Sequence, residues 1–194
     1  PLGSIELIAS ILKKDLEDFG ELRTLAEQIS SGVQNINNIV SNLLLFISPK
    51  QKPDLQAIDV RNVLDDSLFF TGHLFKSNED LEVITSYASK PLLMLADPEL
   101  LKQVFLNIIL NAIQAMPDNG KLTISTIEVN DQQKMQKFAE IRFTDTGIGI
   151  PSENIGRIFD PFFTTRKRGA GLGLTIAHNI TKIHCGTIDI SSST

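Results

Sequence analysis

Hydrophobic residues recur every three or four positions from the start of the chain, at Ile5, Ile8, Leu12, Leu16 and Phe19, and this spacing predicts a helix. Gly20 interrupts it. A second run at Leu22, Leu25, Ile29, Val33, Ile36, Val40, Leu43 and Ile47 has spacings of 3, 4, 4, 3, 4, 3 and 4, a near-heptad seam. Residues 1–48 therefore read as a hairpin of two antiparallel helices. One hairpin cannot bury both of its stripes against itself, so two copies pairing into a four-helix bundle is the natural solution, and a homodimer through residues 5–47 is expected. The other arrangement is a hairpin packed on its own downstream domain. Pro49 and Pro53, with polar Lys50, Gln51 and Lys52 between them, stop the second helix and mark a linker at 49–56.

From residue 57 to 194 the pattern changes period repeatedly. A helix is expected from about Arg61 to Lys76, then a hairpin of two strands, Leu81 to Tyr87 and Leu92 to Leu95. Asp97-Pro98 is a helix start, because Asp caps free amide groups and Pro tolerates the first helical position; that helix runs to about Met116. Pro117-Asp118-Asn119-Gly120 is turn chemistry, followed by strands at Leu122 to Val129 and Phe138 to Thr144. A last helix from Leu172 to about Ile183 ends at Gly186, before a final strand Thr187 to Ile190. This irregular alternation predicts an α+β fold, one layer of helices on a mixed sheet.

Composition narrows the class. With 42% hydrophobic and 21% charged residues in 194, the chain is neither disordered nor fibrous. Its net charge of −5 offers no broad positive field, which argues against nucleic acid as a partner. The only dense basic run is Arg166-Lys167-Arg168. A single cysteine, Cys185, cannot form an intrachain disulfide and suits a reducing compartment, so a cytoplasmic location is expected. No stretch approaches the roughly 18 apolar residues of a membrane span. No membrane contact by these residues is expected, and attachment of a longer parent protein stays open.

The helix after Asp97 is apolar over most of its circumference and should be buried. Its polar exceptions, Gln103, Asn107, Asn111 and Gln114, are spaced 4, 4 and 3 apart and so share one face. Buried amides cost free energy unless bonded. Their oxygens could ligate a hard cation such as Mg²⁺, or they could form a structural amide network; the stripe alone fits both. Thr144-Asp145-Thr146-Gly147-Ile148-Gly149-Ile150 follows a strand and leaves Asp145 at its end. The carboxylate could accept from an exocyclic amine while glycines let the backbone pass close to a planar ring, and an ordinary Asp/Gly turn fits as well.

Phe159-Asp160-Pro161-Phe162-Phe163-Thr164-Thr165 sets aromatics, read as core packing, before two hydroxyls. Gly169-Ala170-Gly171-Leu172-Gly173 opens a helix, where backbone N–H groups and the helix dipole suit phosphate. Neither the dinucleotide G-x-G-x-x-G nor the Walker G-x-x-x-x-G-K-[ST] occurs. Residues 151 to 169 show few regular signals, which suits a lid whose basic triplet closes over a triphosphate; a solvated charge run is the plainer reading of Arg166 to Arg168.

In this order the four segments resemble the boxes of the histidine kinase catalytic domain, the Bergerat-type ATP fold also found in type II topoisomerase subunits. Residues 97–116 look like the N box, 145–150 the first glycine box, 159–165 the F box and 169–174 the second glycine box. Residues 5–47 look like the dimerisation hairpin of a sensor histidine kinase. The resemblance implies that ATP and Mg²⁺ are the cofactors, with Asn111 ligating the metal and Asn107 holding phosphates. It implies that Asp145 reads adenine and that Gly147 and Gly149 line the base. Gly169, Gly171, Leu172 and Gly173 would approach the phosphates, and Gln114, Thr164, Thr165 and Lys167 would complete the site. It also implies phosphoryl transfer from ATP to a histidine, then to a response-regulator receiver domain.

Four departures qualify the likeness. The family's H-E-x-x-N-P sequence is not found, and Pro1-Leu2-Gly3-Ser4 would either follow it directly or be the scar of a cleaved tag; this fragment is expected to bind ATP without phosphorylating itself. The family's last strand, with its Gly-Thr, is not found after Ser191-Ser192-Ser193-Thr194. Gln114 stands where many members carry a basic residue, and Ala170 replaces a common threonine. ATP-hydrolysing members carry glutamate at the Asn107 position, so hydrolysis is disfavoured here. The remaining rival is a dimerisation module that has lost its nucleotide, against which intact Asn111, Asp145 and three glycines argue.

Overall fold

The computed structural model describes residues 5, 8, 25, 29, 32, 33, 53–76, 80–131, 136–166 and 169–193. The chain divides into two compact units, Pro1–Lys50 and Gln51–Thr194. In the first, all six described residues are helical. Val33 is buried, whereas Ile5, Ile8, Leu25 and Ile29 are 42 to 56% exposed. The turn at Gly20 and most of the predicted seam lie outside the described residues.

The second unit begins with a strand that the sequence pattern did not reveal, β1 (Gln56–Asp59). Asp59 ends it and turns the chain into α1 (Val60–Lys76): its carboxylate accepts from the Arg61 N–H at 3.2 Å and pairs with the Arg61 guanidinium at 2.7 Å. The inward face of α1 follows the helical period through Val60, Val63, Leu64, Ser67 and Thr71, all buried. Its two hydroxyls bond back into the helix, Ser67 to the Val63 carbonyl at 2.7 Å and Thr71 to the Ser67 carbonyl at 3.0 Å.

Strands β2 (Leu81–Ser86) and β3 (Leu93–Ala96) do not form the expected hairpin. β2 runs parallel to β4 (Gly120–Asp131), pairing Leu81 with Gly120, while β3 runs antiparallel to β1, pairing Gln56 with Ala96. Between them Leu92 bonds to the start of α1, donating to Asp59 and accepting from the Val60 N–H at 3.1 Å. The segment 87–92 has no two-residue Asn-Gly type turn and carries Pro91. β2 instead lies beside β4, whose Leu122 and Ile124 are fully buried. β4 continues antiparallel to β5 (Gln136–Asp145), so the order β2-β4-β5 makes the expected mixed sheet.

Asp97 caps α2 (Pro98–Ala115), accepting from the Glu99 and Leu100 N–H groups, and this helix lies between α1 and α4 (Gly173–Ile183). Leu100, Leu101, Val104, Phe105, Ile109 and Ala112 of α2 are buried, and Phe105 meets Phe143 of β5 with ring centroids 5.8 Å apart. The large side chains among these each contribute about 1.5–3 kcal/mol when fully buried, so this helix-on-sheet layer is the main support of the site. A one-turn helix, α3 (Ser152–Ile155), precedes α4. The predicted final strand is a second correction: Thr187 to Ile190 alternate outward and inward as a strand would but form no ladder with any described residue. Among the described residues, no helix is long and apolar enough to cross a membrane.

Candidate functional site

With its apolar side turned to α1, α4 and the sheet, α2 leaves the stripe Gln103, Asn107, Asn111 and Gln114 on one face. The first three are half-buried and Gln114 is exposed, so the stripe opens to solvent at its C-terminal end. The Asn107 Nδ2 atom is buried and has no hydrogen-bond partner among the described residues. Such an orphan costs about 1–3 kcal/mol, which marks a place where the fold alone does not complete its own bonding. A Cβ added at Gly173 would lie 3.4 Å from the Asn107 Oδ1, so this amide faces the first residue of α4. Leu172, at the N-cap position of α4, makes no side-chain capping bond, and the first N–H groups of the helix carry the positive end of its dipole.

The glycine-rich segment before α4 is pressed against the 160s loop. Gly171 has φ +64, and a Cβ there would come within 2.5 Å of the Phe162 carbonyl carbon, so glycine is required. Gly169 sits in ordinary contact with Thr164, whose Oγ1 would be 3.5 Å from an added Cβ. Leu172 is 2% exposed as a whole residue and belongs to the core. Thr164 Oγ1 accepts from the Arg166 N–H at 3.1 Å, and Thr165 is exposed. Lys167 lies outside the described residues.

Residues 151–163, expected to show little regular structure, form α3 and then successive four-residue turns, closed by Arg157 N–H to Asn154, Asp160 N–H to Arg157 and Phe163 N–H to Asp160. Phe159 stacks on His178 of α4 with centroids 4.7 Å apart, and its carbonyl accepts from Thr175 at 3.0 Å. Burial, with the nearby Lys182 charge adding to it, lowers the His178 pKa.

Arg166 reaches across to α2. Its guanidinium donates to Asn111 Oδ1 at 2.9 Å, to the Asn111 carbonyl at 3.2 Å and to Gln114 Oε1. Partial burial lowers its pKa, but an arginine stays charged at any ordinary pH. Sequence reasoning missed this contact; the basic triplet and the amide stripe were both visible, but nothing in their spacing pairs one with the other.

Asp145 stands exposed at the end of β5, its Oδ1 accepting from the Gly147 N–H at 2.9 Å. This loop lies on the last turn of α2: Ile148 N–H donates to the Ala115 carbonyl at 3.1 Å, and a Cβ at Gly147 would come within 2.6 Å of the Ala115 methyl. Gly149 holds φ +73, and Ile148 between the two glycines is 78% exposed. The C-terminal half of α2 thus gathers an orphan amide nitrogen beside a helix N-terminus, two amide oxygens that hold a cation, and an exposed carboxylate. An anion, a cation and a base-like hydrogen-bond donor would each find a partner.

Residues 96–194 match the family model described as histidine kinase-, DNA gyrase B-, and HSP90-like ATPase. The chain belongs to this ATPase family. It is 35% identical over 192 residues to the sensor histidine kinase ZraS of Escherichia coli (strain K12), covering 99% of this chain and 40% of that protein. It is 30% identical over 195 residues to sporulation kinase A of Bacillus subtilis (strain 168), covering 99% of this chain and 30% of that protein. Among solved structures, a nucleotide-free catalytic domain of histidine kinase ThkA superposes with a TM-score of 0.59 at 25% identity, over 68% of this chain and 82% of that one. The downstream unit is therefore an ATP-binding domain of the sensor histidine kinase type, with the mixed α/β fold of that family. The chain spans less than half the length of the curated relatives named here.

Proposed function

We propose that residues 57–194 bind Mg-ATP along the polar face of α2 and, in the intact protein, transfer its γ-phosphoryl to a histidine for relay to a response-regulator receiver domain. The observation that carries this reading is the buried Asn107 amide nitrogen, without a partner among the described residues, on a side chain that lies against the start of α4. A phosphate oxygen would accept from that amide nitrogen and from the first N–H groups of α4, replacing a missing bond with a charge-assisted one. Asp145 would accept from the exocyclic amine of adenine, with Gly147 and Gly149 letting the ring approach the backbone.

The donor set fits Mg²⁺: Asn111 Oδ1 and Gln114 Oε1 are neutral oxygens that already converge on a cationic group, the Arg166 guanidinium. Asn111 would hold the metal, which would neutralise charge on the phosphates when bound. Gln114, Thr164, Thr165, Lys167, Gly169, Gly171, Gly173 and the Leu172 backbone would surround the polyphosphate, positioning it rather than reacting with it. Asn107 supplies no carboxylate to activate water, so transfer is favoured over hydrolysis.

Residues 1–48 would serve as the dimerisation domain, joined by a linker at 49–56. Four apolar positions of its stripes, Ile5, Ile8, Leu25 and Ile29, are exposed in the single chain, which supports closure by a second copy. The place of action would be the cytoplasm, with no role for nucleic acid.

The test is equilibrium binding of Mg-ADP together with steady-state ATP turnover. Tight binding without turnover supports the kinase reading, binding with sustained turnover points to an ATPase, and no binding leaves a dimerisation module. In a longer protein carrying a histidine upstream, label from the γ-phosphate should become acid-labile and pass to a receiver domain.

A further inference from the structure

Arg166 makes three hydrogen bonds to one turn of α2, and all three acceptors are neutral: Asn111 Oδ1, the Asn111 carbonyl and Gln114 Oε1. Among the described residues this exposed guanidinium is held by amide oxygens rather than by a carboxylate, so its hydrogen bonds are matched but its charge is not. The same Asn111 oxygen is the one assigned above to the metal. A magnesium ion stands at about 2.1 Å from its oxygen ligands, and the guanidinium nitrogen stands 2.9 Å from this one. Both on one oxygen would place like charges within a few ångströms of each other, where they repel.

We propose that Arg166 is a built-in counter-cation for Asn111 and Gln114, held on the metal's oxygen when nucleotide is absent and displaced from it when the metal arrives. Arg166 and the metal then occupy Asn111 Oδ1 in alternation. The strength of the arginine's hold sets how strongly nucleotide binding depends on magnesium. Gln114 has a definite part: as a neutral acceptor it strengthens the arginine's seat, where a basic residue would repel it. This inference rests on the nucleotide reading of the preceding subsection.

The experiment is a titration of the chain with ADP in excess Mg²⁺ and again in EDTA, for the unaltered protein, Arg166→Ala, Gln114→Ala and the double variant. The readout is the ratio of the two dissociation constants, EDTA over Mg²⁺, which cancels any contact that Arg166 makes equally in both conditions. Arg166→Ala should raise this ratio about three- to tenfold. Gln114→Ala should raise it in the unaltered background and add little once Arg166 is gone, the signature of two groups acting as one unit. A ratio unchanged or lowered in Arg166→Ala, with ADP still bound, overturns the counter-cation and leaves the nucleotide site standing. An unaltered chain that binds no ADP in either condition overturns the site itself and this inference with it.

Discussion

The two ends of α2 treat their polar groups in opposite ways. At the start, Asp97 is 1% exposed and fully employed: its N–H donates to His184 Nε2 at 3.0 Å, and its Oδ1 accepts from Glu99 and Leu100 at 3.1 and 3.2 Å. Its Oδ2 takes the Asp54 N–H at 3.0 Å. His184 in turn bonds the Ile180 carbonyl through Nδ1 at 2.8 Å, so one residue ties the entry of the unit, the start of α2 and the end of α4 together. About three to five turns later, the Asn107 amide nitrogen is left without a partner among the described residues, and the amide oxygens of Asn111 and Gln114 accept from an arginine far along the chain. A polar residue that the fold satisfies completely holds structure. One that the fold leaves unfinished has a bond still to offer a ligand.

The sharpest way to break this contrast is to truncate each end in turn. Asp97→Ala removes two capping bonds and a cross-link, and should cost about 2–4 kcal/mol in urea unfolding while the remaining folded protein keeps its ADP affinity. Gly171→Ala forces a side chain onto φ +64 and into the Phe162 and Phe163 backbone, and should cost about 1–3 kcal/mol, read as a lower unfolding temperature. Asn107→Leu should do the reverse of Asp97→Ala: stability within about 1 kcal/mol of the parent, because an orphan amide is lost, but ADP affinity down at least about tenfold. If Asn107→Leu unfolded the protein and spared the nucleotide, the distinction between the two ends would disappear.

The smallest effect concerns acid stability. The Arg61 side chain holds the Asp59 carboxyl below its usual range, against an opposing contribution from burial and with help from the Arg61 and Leu92 N–H groups. A depressed folded-state pKa means that the stabilisation is present above the unfolded value and is lost as pH falls through the folded one. Asp59→Asn should therefore flatten the acid limb of the stability profile, measured by thermal unfolding between pH 6 and pH 2, and leave nucleotide affinity unchanged.

What was legible in the sequence was local or periodic. Asp97-Pro98 announced the start of α2 because capping is chemistry between neighbours, and the 4, 4, 3 spacing of Gln103, Asn107, Asn111 and Gln114 put them on one face because a helix allows nothing else. The order of the four segments pointed to the family. The pairing of β2 with β4 rather than with β3 was not legible, since it joins residues about 40 positions apart through burial that no local pattern records. β1 is four residues long, too short for its alternation to stand out. Thr187 to Ile190 carry strand-like alternation, but a strand also needs a partner edge. The Arg166 contact was hidden for the same reason, being a meeting of two surfaces 55 residues apart.

The central claim is that Asn111 and Asp145 face the two ends of one bound nucleotide. Calorimetric titration of Mg-ADP into the unaltered chain, Asn111→Ala and Asp145→Ala tests it directly. The account predicts single-site binding by the parent, weakened at least about tenfold in each variant, with unfolding temperatures close to the parent's. Two variants that fold and bind Mg-ADP as tightly as the parent would contradict it.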